Sequence, residues 1–248
     1  MKTVLTIAGS DPSGGAGLQR DLETFRDLKA RGLSVVAALT AQNSTVVRAI
    51  EPVSAGFLKR QVNALLEEFR IDAVKIGMTG SAENLRAIRS LIKKYGLKKV
   101  VLDPVMRSTS GRPLLDKDGI AELKALLPLV ALVTPNLPEA TLLTGIKEVT
   151  DIKGMEEAVR RLHEMGAPNV LVKGGHLEGA PQDLLYDGRS FNYFAGKRIT
   201  GATGRFHGTG CILSAAIAAG LANGKGIERA ILEGRAYLME VLRNRPNA

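Results

Sequence analysis

Residues 3–22 read TVLTIAGSDPSGGAGLQRDL, an order that decides the fold. The apolar run at residues 4–8 predicts a strand. It passes without a linker into the glycine-rich stretch 9–17, and helical spacing of apolar residues begins at Leu18 and runs to about Lys29. Strand, glycine loop and helix form the opening half of a βαβ unit. The same alternation continues along the chain. Residues 34–41, 73–77, 99–103, 130–134 and 170–174 read as further strands, and residues 57–69, 83–94, 118–127, 137–144 and 155–165 as helices. The strand segments lack polar alternation, as expected of strands covered on both faces. The order predicts an α/β fold with a mainly parallel sheet. Residues 184–195 read as a hairpin turning at Asp187-Gly188. Two helices, near 210–222 and 226–242, end the pattern.

Composition is compatible with this reading. Of 248 residues, 45% are hydrophobic and 24% charged, which suits one globular domain over residues 1–248. There is no internal repeat, low-complexity tract or linker. No apolar run is long enough to cross a bilayer and the start lacks a signal-peptide layout, so a cytoplasmic protein without membrane association is expected. Cys211 is the one cysteine; it excludes an intrachain disulfide and suits a reducing compartment. The formal charge of +9 raises nucleic-acid binding as a question. The densest basic cluster is Arg86, Arg89, Lys93, Lys94, Lys98 and Lys99. Its first three members lie opposite Leu85, Ile88, Leu91 and Ile92, on the outer face of an amphipathic helix. Aromatic residues make up 4% of the chain and tryptophan is absent, so stacking platforms are scarce and no nucleic-acid partner is expected. A basic surface equally favours small anionic substrates.

The polar residues gather where strands are expected to end, which is where open parallel sheets bind ligands. The loop 9–17 lets backbone approach a ligand closely and aims helix N–H groups at it. It lacks the Gly-Lys-Ser/Thr ending of a P-loop and the Rossmann spacing. His207-Gly208-Thr209-Gly210-Cys211 precedes ILSAAIAAGL, a stretch apolar nearly all round and so expected to be a buried helix. Glycines opening such a helix make an anion hole, or else allow close packing of small residues. Asp103 ends one strand and Asn136 and Glu139 start a helix after another. Oxygen ligands spread over two strand ends suit Mg²⁺, directly or through water. The plainer readings are a turn residue before Pro104 and a first-turn dipole partner. Lys173 offers a point charge for phosphate, or snorkels. His176 and His207 have no acid–base partner in their sequence context and read as structural. Residues 106–113, MRSTSGRP, suit a substrate flap or an ordinary surface loop.

Seven motifs occur in order: TIAGSDPSGGAGLQRDL at 6–22, TAQNS at 40–44, KIGM at 75–78, VLDPVM at 101–106, TPNLPEA at 134–140, VKGGH at 172–176 and HGTGC at 207–211. From about residue 3 to 240 the chain resembles the hydroxymethylpyrimidine and phosphomethylpyrimidine kinases of thiamine biosynthesis. The resemblance implies a ribokinase-like three-layer αβα sandwich with a mainly parallel central sheet and a small flap. It implies ATP- and Mg²⁺-dependent phosphorylation of 4-amino-5-hydroxymethyl-2-methylpyrimidine (HMP) to HMP phosphate, then to HMP diphosphate, by a homodimer. It assigns Gln42 to the aminopyrimidine, with Gly9, Asp21, Met78 and Val105 as wall or floor of that pocket. Asp103 and Glu139 match acidic positions near the Mg-nucleotide, Asn136 and Lys173 the nucleotide side, and Gly208, Thr209 and Gly210 the anion hole. Cys211 stands where ribokinase-like relatives usually carry an aspartate base, and a helix N-terminus is expected to lower its thiol pKa enough to make it a base for the alcohol step. Arg205 and Phe206 depart from the family pattern, residues 199–207 look slightly longer, and Arg107 and Thr109 depart in the flap. The alternative is a pyridoxal or pyridoxine kinase, or a dual-substrate enzyme, which Cys211 disfavours. A nonenzymatic binder on the same scaffold should have lost the glycines or carboxylates that this chain keeps.

Overall fold

The computed structural model describes residues 1–43, 45–108, 111–175, 177–198 and 208–244. In chain order these form β1 (Thr3–Ser10), α1 (Gly17–Asp27), β2 (Arg31–Gln42), β3 (Val47–Pro52), α2 (Ala55–Glu68), β4 (Ala73–Ile76), α3 (Ala82–Tyr95), β5 (Val100–Leu102) and α4 (Lys117–Leu126). They continue with β6 (Leu132–Val133), α5 (Leu137–Thr144), α6 (Ile152–Glu164), β7 (Val170–Val172), β8 (Gln182–Tyr186), β9 (Phe191–Ala195), α7 (Thr209–Ala222) and α8 (Ile227–Asn244). The nine strands make one sheet in the order β3-β2-β1-β4-β5-β6-β7-β8-β9. The six from β2 to β7 run parallel, while β3 and β8 run antiparallel to them and β9 pairs antiparallel with β8.

Strand alternation sends neighbouring residues to opposite faces. Leu5, Ile7, Ile76 and Leu102 pack in the core that includes α2 to α6. Val4, Ala73, Val101 and Leu132 pack with Phe25 of α1 and with α7 and α8 on the other face. The result is the expected three-layer αβα sandwich. Local signals start and stop its helices. The Ser54, Ser81, Asp116 and Asp151 side chains each accept an N–H of the following first turn, and Gly96 ends α3 in the left-handed conformation. Residues 212–222 of α7 are all buried. Fully burying a large aliphatic such as Ile217 is worth about 1.5–3 kcal/mol, so this helix is anchored along its length and its N-terminus is fixed.

Two details differ from the sequence expectation. The strand β3 was not anticipated: VRAIEP has no apolar run, because it is an exposed edge strand ending at proline. The strands β6 and β7 are shorter than the apolar runs that contain them, since the sheet narrows there to a few paired residues. Residues 106–108 and 111–113, which suited a flap or a surface loop, pair with each other and tie back to β3. Arg107 bridges Pro113, Ser108 N–H donates to Arg112 O at 2.9 Å, and the Arg112 guanidinium donates to Val47 O of β3 at 3.0 Å. Thr109, His176 and residues 199–207, which include Arg205, Phe206 and His207, lie outside the described residues.

Candidate active site

At one end of the site, Asp103 follows β5 directly and Lys173 follows β7. The Lys173 ammonium donates to Asp103 Oδ1 at 2.8 Å, and the Ser214 hydroxyl of α7 donates to Oδ2 at 3.2 Å. Burial raises the Asp103 carboxyl, but Lys173 and Lys75 pull harder and hold it below its ordinary value. Burial opposes the Lys173 charge in turn, yet Asp103 and Glu139 raise it above its ordinary value. Asn136 and Glu139 form a capping box at the start of α5. Glu139 N–H donates to Asn136 Oδ1 at 2.9 Å and Asn136 N–H to Glu139 Oε2 at 2.8 Å. Burial pushes the Glu139 carboxyl up to about 7, with Lys173 opposing and the Asp103 charge reinforcing. Asp103 and Glu139 therefore share the field of one lysine, as two carboxylates on the same side of the sheet must.

The start of α7 meets this cluster. Gly208 has φ 78°, and a Cβ there would collide with the Gly15 carbonyl of the first glycine loop. A Cβ at Gly210 would stand 3.1 Å from Lys173 Nζ and 3.4 Å from Asp103 Oδ2. Glycine is what lets the helix N-terminus close on the charged strand ends. The first loop is itself organised from within: the Asp11 carboxylate accepts from Ser13 N–H at 2.9 Å and Ala16 N–H at 2.8 Å, and Asp11 N–H donates to Gln19 Oε1 at 3.0 Å. Gly174 N–H donates to Asp183 Oδ1 at 2.9 Å, and Asp183 is also paired with Arg235 of α8, which braces the turn after Lys173.

The other end lies around β1, β2 and β4. Gly9 ends β1 beside Met78, whose sulfur is 3.1 Å from where a Gly9 Cβ would be. Gln42 ends β2, and its Oε1 accepts from the Thr40 hydroxyl at 3.3 Å. Met78 and Val105 are half-buried after β4 and β5. Asp21 is fully buried in an ion pair with Lys75, which fixes one of its carboxylate oxygens beside this end of the site. The Cys211 expectation needs correction. Burial of its sulfur, helped by Asp21 and Asp103 and opposed by Lys75 and the Gly17 N–H, pushes the thiol up to about 11. Desolvation of the thiolate outweighs the helix N-terminus, so the thiol stands above its ordinary value rather than below it. A cleft of about 1110 Å³ opens beyond Leu137, bounded by Leu142, Val149 and Leu177, but Asp103, Lys173 and Gly210 do not line it.

Reading the sequence missed Lys75, Thr6, Thr134, Ser214 and Asp183 as parts of the network. A signal existed for Lys75: a lysine inside the buried run AVKI requires a buried counter-charge. The others are small polar residues with no local mark.

The nine-stranded αβα architecture with its charged strand ends and glycine-opened helix defines a ribokinase-like phosphotransferase. The sequence model of the phosphomethylpyrimidine kinase family matches residues 11–248, and the chain belongs to that family. The hydroxymethylpyrimidine/phosphomethylpyrimidine kinase of Rhizobium meliloti is 47% identical over 236 residues, covering 94% of this chain and 88% of that protein. The thiamine biosynthesis bifunctional protein ThiED of Geobacter sulfurreducens is 45% identical over 243 residues; the match covers 97% of this chain but spans 49% of that longer protein. The crystal structure of phosphomethylpyrimidine kinase from Clostridium difficile 630 superposes with a TM-score of 0.86 at 39% identity, covering 98% of this chain and 100% of that one. Pyridoxal kinase from Staphylococcus aureus in complex with AMP-PCP and pyridoxal gives 0.90 at 32% identity, covering 98% and 88%.

Proposed function

We propose that the chain transfers the γ-phosphoryl group of ATP to the hydroxymethyl oxygen of HMP, and then a second phosphoryl group to HMP phosphate. The observation that carries this reading, within the family, is the apposition of Gly210 to Lys173 and Asp103 at the strand ends. Phosphoryl transfer needs positioning and charge neutralisation more than covalent chemistry. The α7 N–H groups from Gly208 to Cys211 point out of a buried helix and would stabilise the transferring group. The Lys173 side chain is 14% exposed and can turn from Asp103 to a phosphate oxygen. Asn136 belongs to the same nucleotide end.

The donor set fits Mg²⁺. Asp103 and Glu139 are hard oxygen donors that lie in the field of one ammonium, Lys173. Asp103 Oδ1 and Oδ2 and Glu139 Oε2 already accept hydrogen bonds, so the two residues would hold the ion chiefly through its waters. When bound, Mg²⁺ supplies neutralisation of the ATP phosphates. On the acceptor side, the Gln42 amide can both donate to and accept from an aminopyrimidine, with Gly9, Met78 and Val105 beside it. Burial that raises the Cys211 thiol works against a base role in the alcohol step, while a neutral thiol does not repel the phosphomonoester of the second step, which is largely dianionic at pH 7 with a second pKa of about 6. Without a protein base, the alcohol proton would leave late, passing to a phosphate oxygen or to water as the bond to the phosphoryl group forms.

A homodimer and a cytoplasmic location belong to the same reading. Among the described residues no helix is long and apolar enough to cross a membrane. The similarity to a pyridoxal-bound kinase favours pyridoxal as the second candidate acceptor. ADP release measured with HMP, HMP phosphate and pyridoxal side by side tests the proposal. Turnover of both pyrimidines is expected; turnover of pyridoxal alone would overturn it. Sedimentation at micromolar concentration tests the dimer, and a monomer there removes it.

A further inference from the structure

Lys75 stands in the middle of β4 with no exposed surface. Its ammonium donates to Asp21 Oδ2 at 2.9 Å, and the Thr6 hydroxyl donates to the same oxygen at 2.6 Å. Gly77, two residues on, makes room for it: a Cβ there would come within 2.7 Å of the ammonium. Asp21 Oδ1 is buried and has no partner among the described residues. A carboxylate placed for packing alone would spend both oxygens on the protein, because a buried acceptor left unpaired is costly. The pair also lies in the field of Cys211. The sulfur accepts from the Gly17 N–H of α1, and the charges that act on it come from Lys75 of β4, Asp21 of α1, Asp103 at the end of β5 and Lys173 at the end of β7. Lys75 favours the thiolate, whereas Asp21 and Asp103 oppose it.

We propose that Lys75 is a positioning residue of the acceptor end, fixing Asp21 by one oxygen and setting the charge beside Cys211 without touching substrate. The term acceptor end rests on the proposed function; the charge relation to Cys211 does not. Because Cys211 is the one cysteine in the chain, its alkylation by iodoacetamide reads that relation directly. Asp21→Asn leaves Lys75 without its counter-charge, so the thiolate becomes its partner. Alkylation at pH 8 is expected to rise about tenfold, the effect of a one-unit pKa shift. Adding Lys75→Met to Asp21→Asn should return the rate to near the starting value. An equal rise in both variants would mean that loosened packing exposes the thiol, and it would overturn the proposal; so would no rise in Asp21→Asn. Should Asp21→Asn fail to fold, the uncharged double variant decides the matter kinetically. Its KM for the acceptor should rise while its KM for ATP stays put, and the reverse split would overturn the assignment. Failure of both pyrimidines as substrates of the unaltered chain would count against the proposed reaction and leave the alkylation result standing.

Discussion

Two lysine–aspartate pairs lie on the same side of the sheet with nearly the same geometry. Lys75 meets Asp21 at 2.9 Å and Lys173 meets Asp103 at 2.8 Å. They differ in access. Neither side chain of the first pair is exposed, whereas Lys173 of the second is 14% exposed and lies against the glycine-opened end of α7. A sealed pair cannot exchange partners, because each ion released would be left uncompensated in a medium of low dielectric. The open pair can release its lysine to an incoming anion that replaces the carboxylate. The same two residue types thus make a sealed ion pair in one place and a partly open one in the other.

The comparison breaks most visibly at the sealed pair. Lys75→Met alone leaves Asp21 buried without its counter-charge and should lower folding stability by about 3–5 kcal/mol, measured by denaturant unfolding. Lys173→Met should cost clearly less, since water reaches that site. Equal losses in the two variants would erase the distinction. The next effect is on rate: Lys173→Met should lower kcat by about 10²–10³-fold, the scale of losing one preorganised charge donor. A loss confined to acceptor binding would move Lys173 away from the nucleotide end. Gly210→Ala sharpens the contrast at a single methyl group. Its Cβ would press on Lys173 Nζ from 3.1 Å, so activity should fall roughly tenfold to a hundredfold while the fold is kept, alanine being the better helix former.

The smallest effect concerns Cys211. With its pKa raised from 9.0 to about 11, the thiol contributes stability that is fully present below pH 9 and is lost as pH rises from 9 to 11. Iodoacetamide alkylation should accordingly climb through pH 8, 9 and 10 without levelling; a plateau near pH 8.5 would show an unburied thiol. Cys211→Ala should lower both phosphorylations by a similar factor, less than about tenfold. A selective loss of about 10²–10⁴-fold in HMP phosphorylation would restore the general-base role.

Much of the site was legible because it is local. The glycines at 208 and 210, the Asn136-x-x-Glu139 spacing and the strand-end Asp103 each declare a backbone conformation or a helix start within a few residues. The edge strand β3 was illegible for the opposite reason: its pairing with β2 depends on a partner, not on its own exposed sequence. The same division explains the thiol. A helix N-terminus is a local feature and argued for a lowered pKa, but the sulfur also answers to burial and to carboxylates from α1 and the end of β5.

The order of residues along the chain specifies the alternation of strands and helices, the glycine openings and the inventory of charges. The tertiary structure alone decided which lysine serves which aspartate, across separations of 54 and 70 residues, and which pair is sealed. Hydrophobic periodicity acts over a turn or a strand and can be read along the chain. Ion pairing and desolvation depend on distance in space and on the dielectric around each group, and these exist only once α1 and α7 have closed over the sheet.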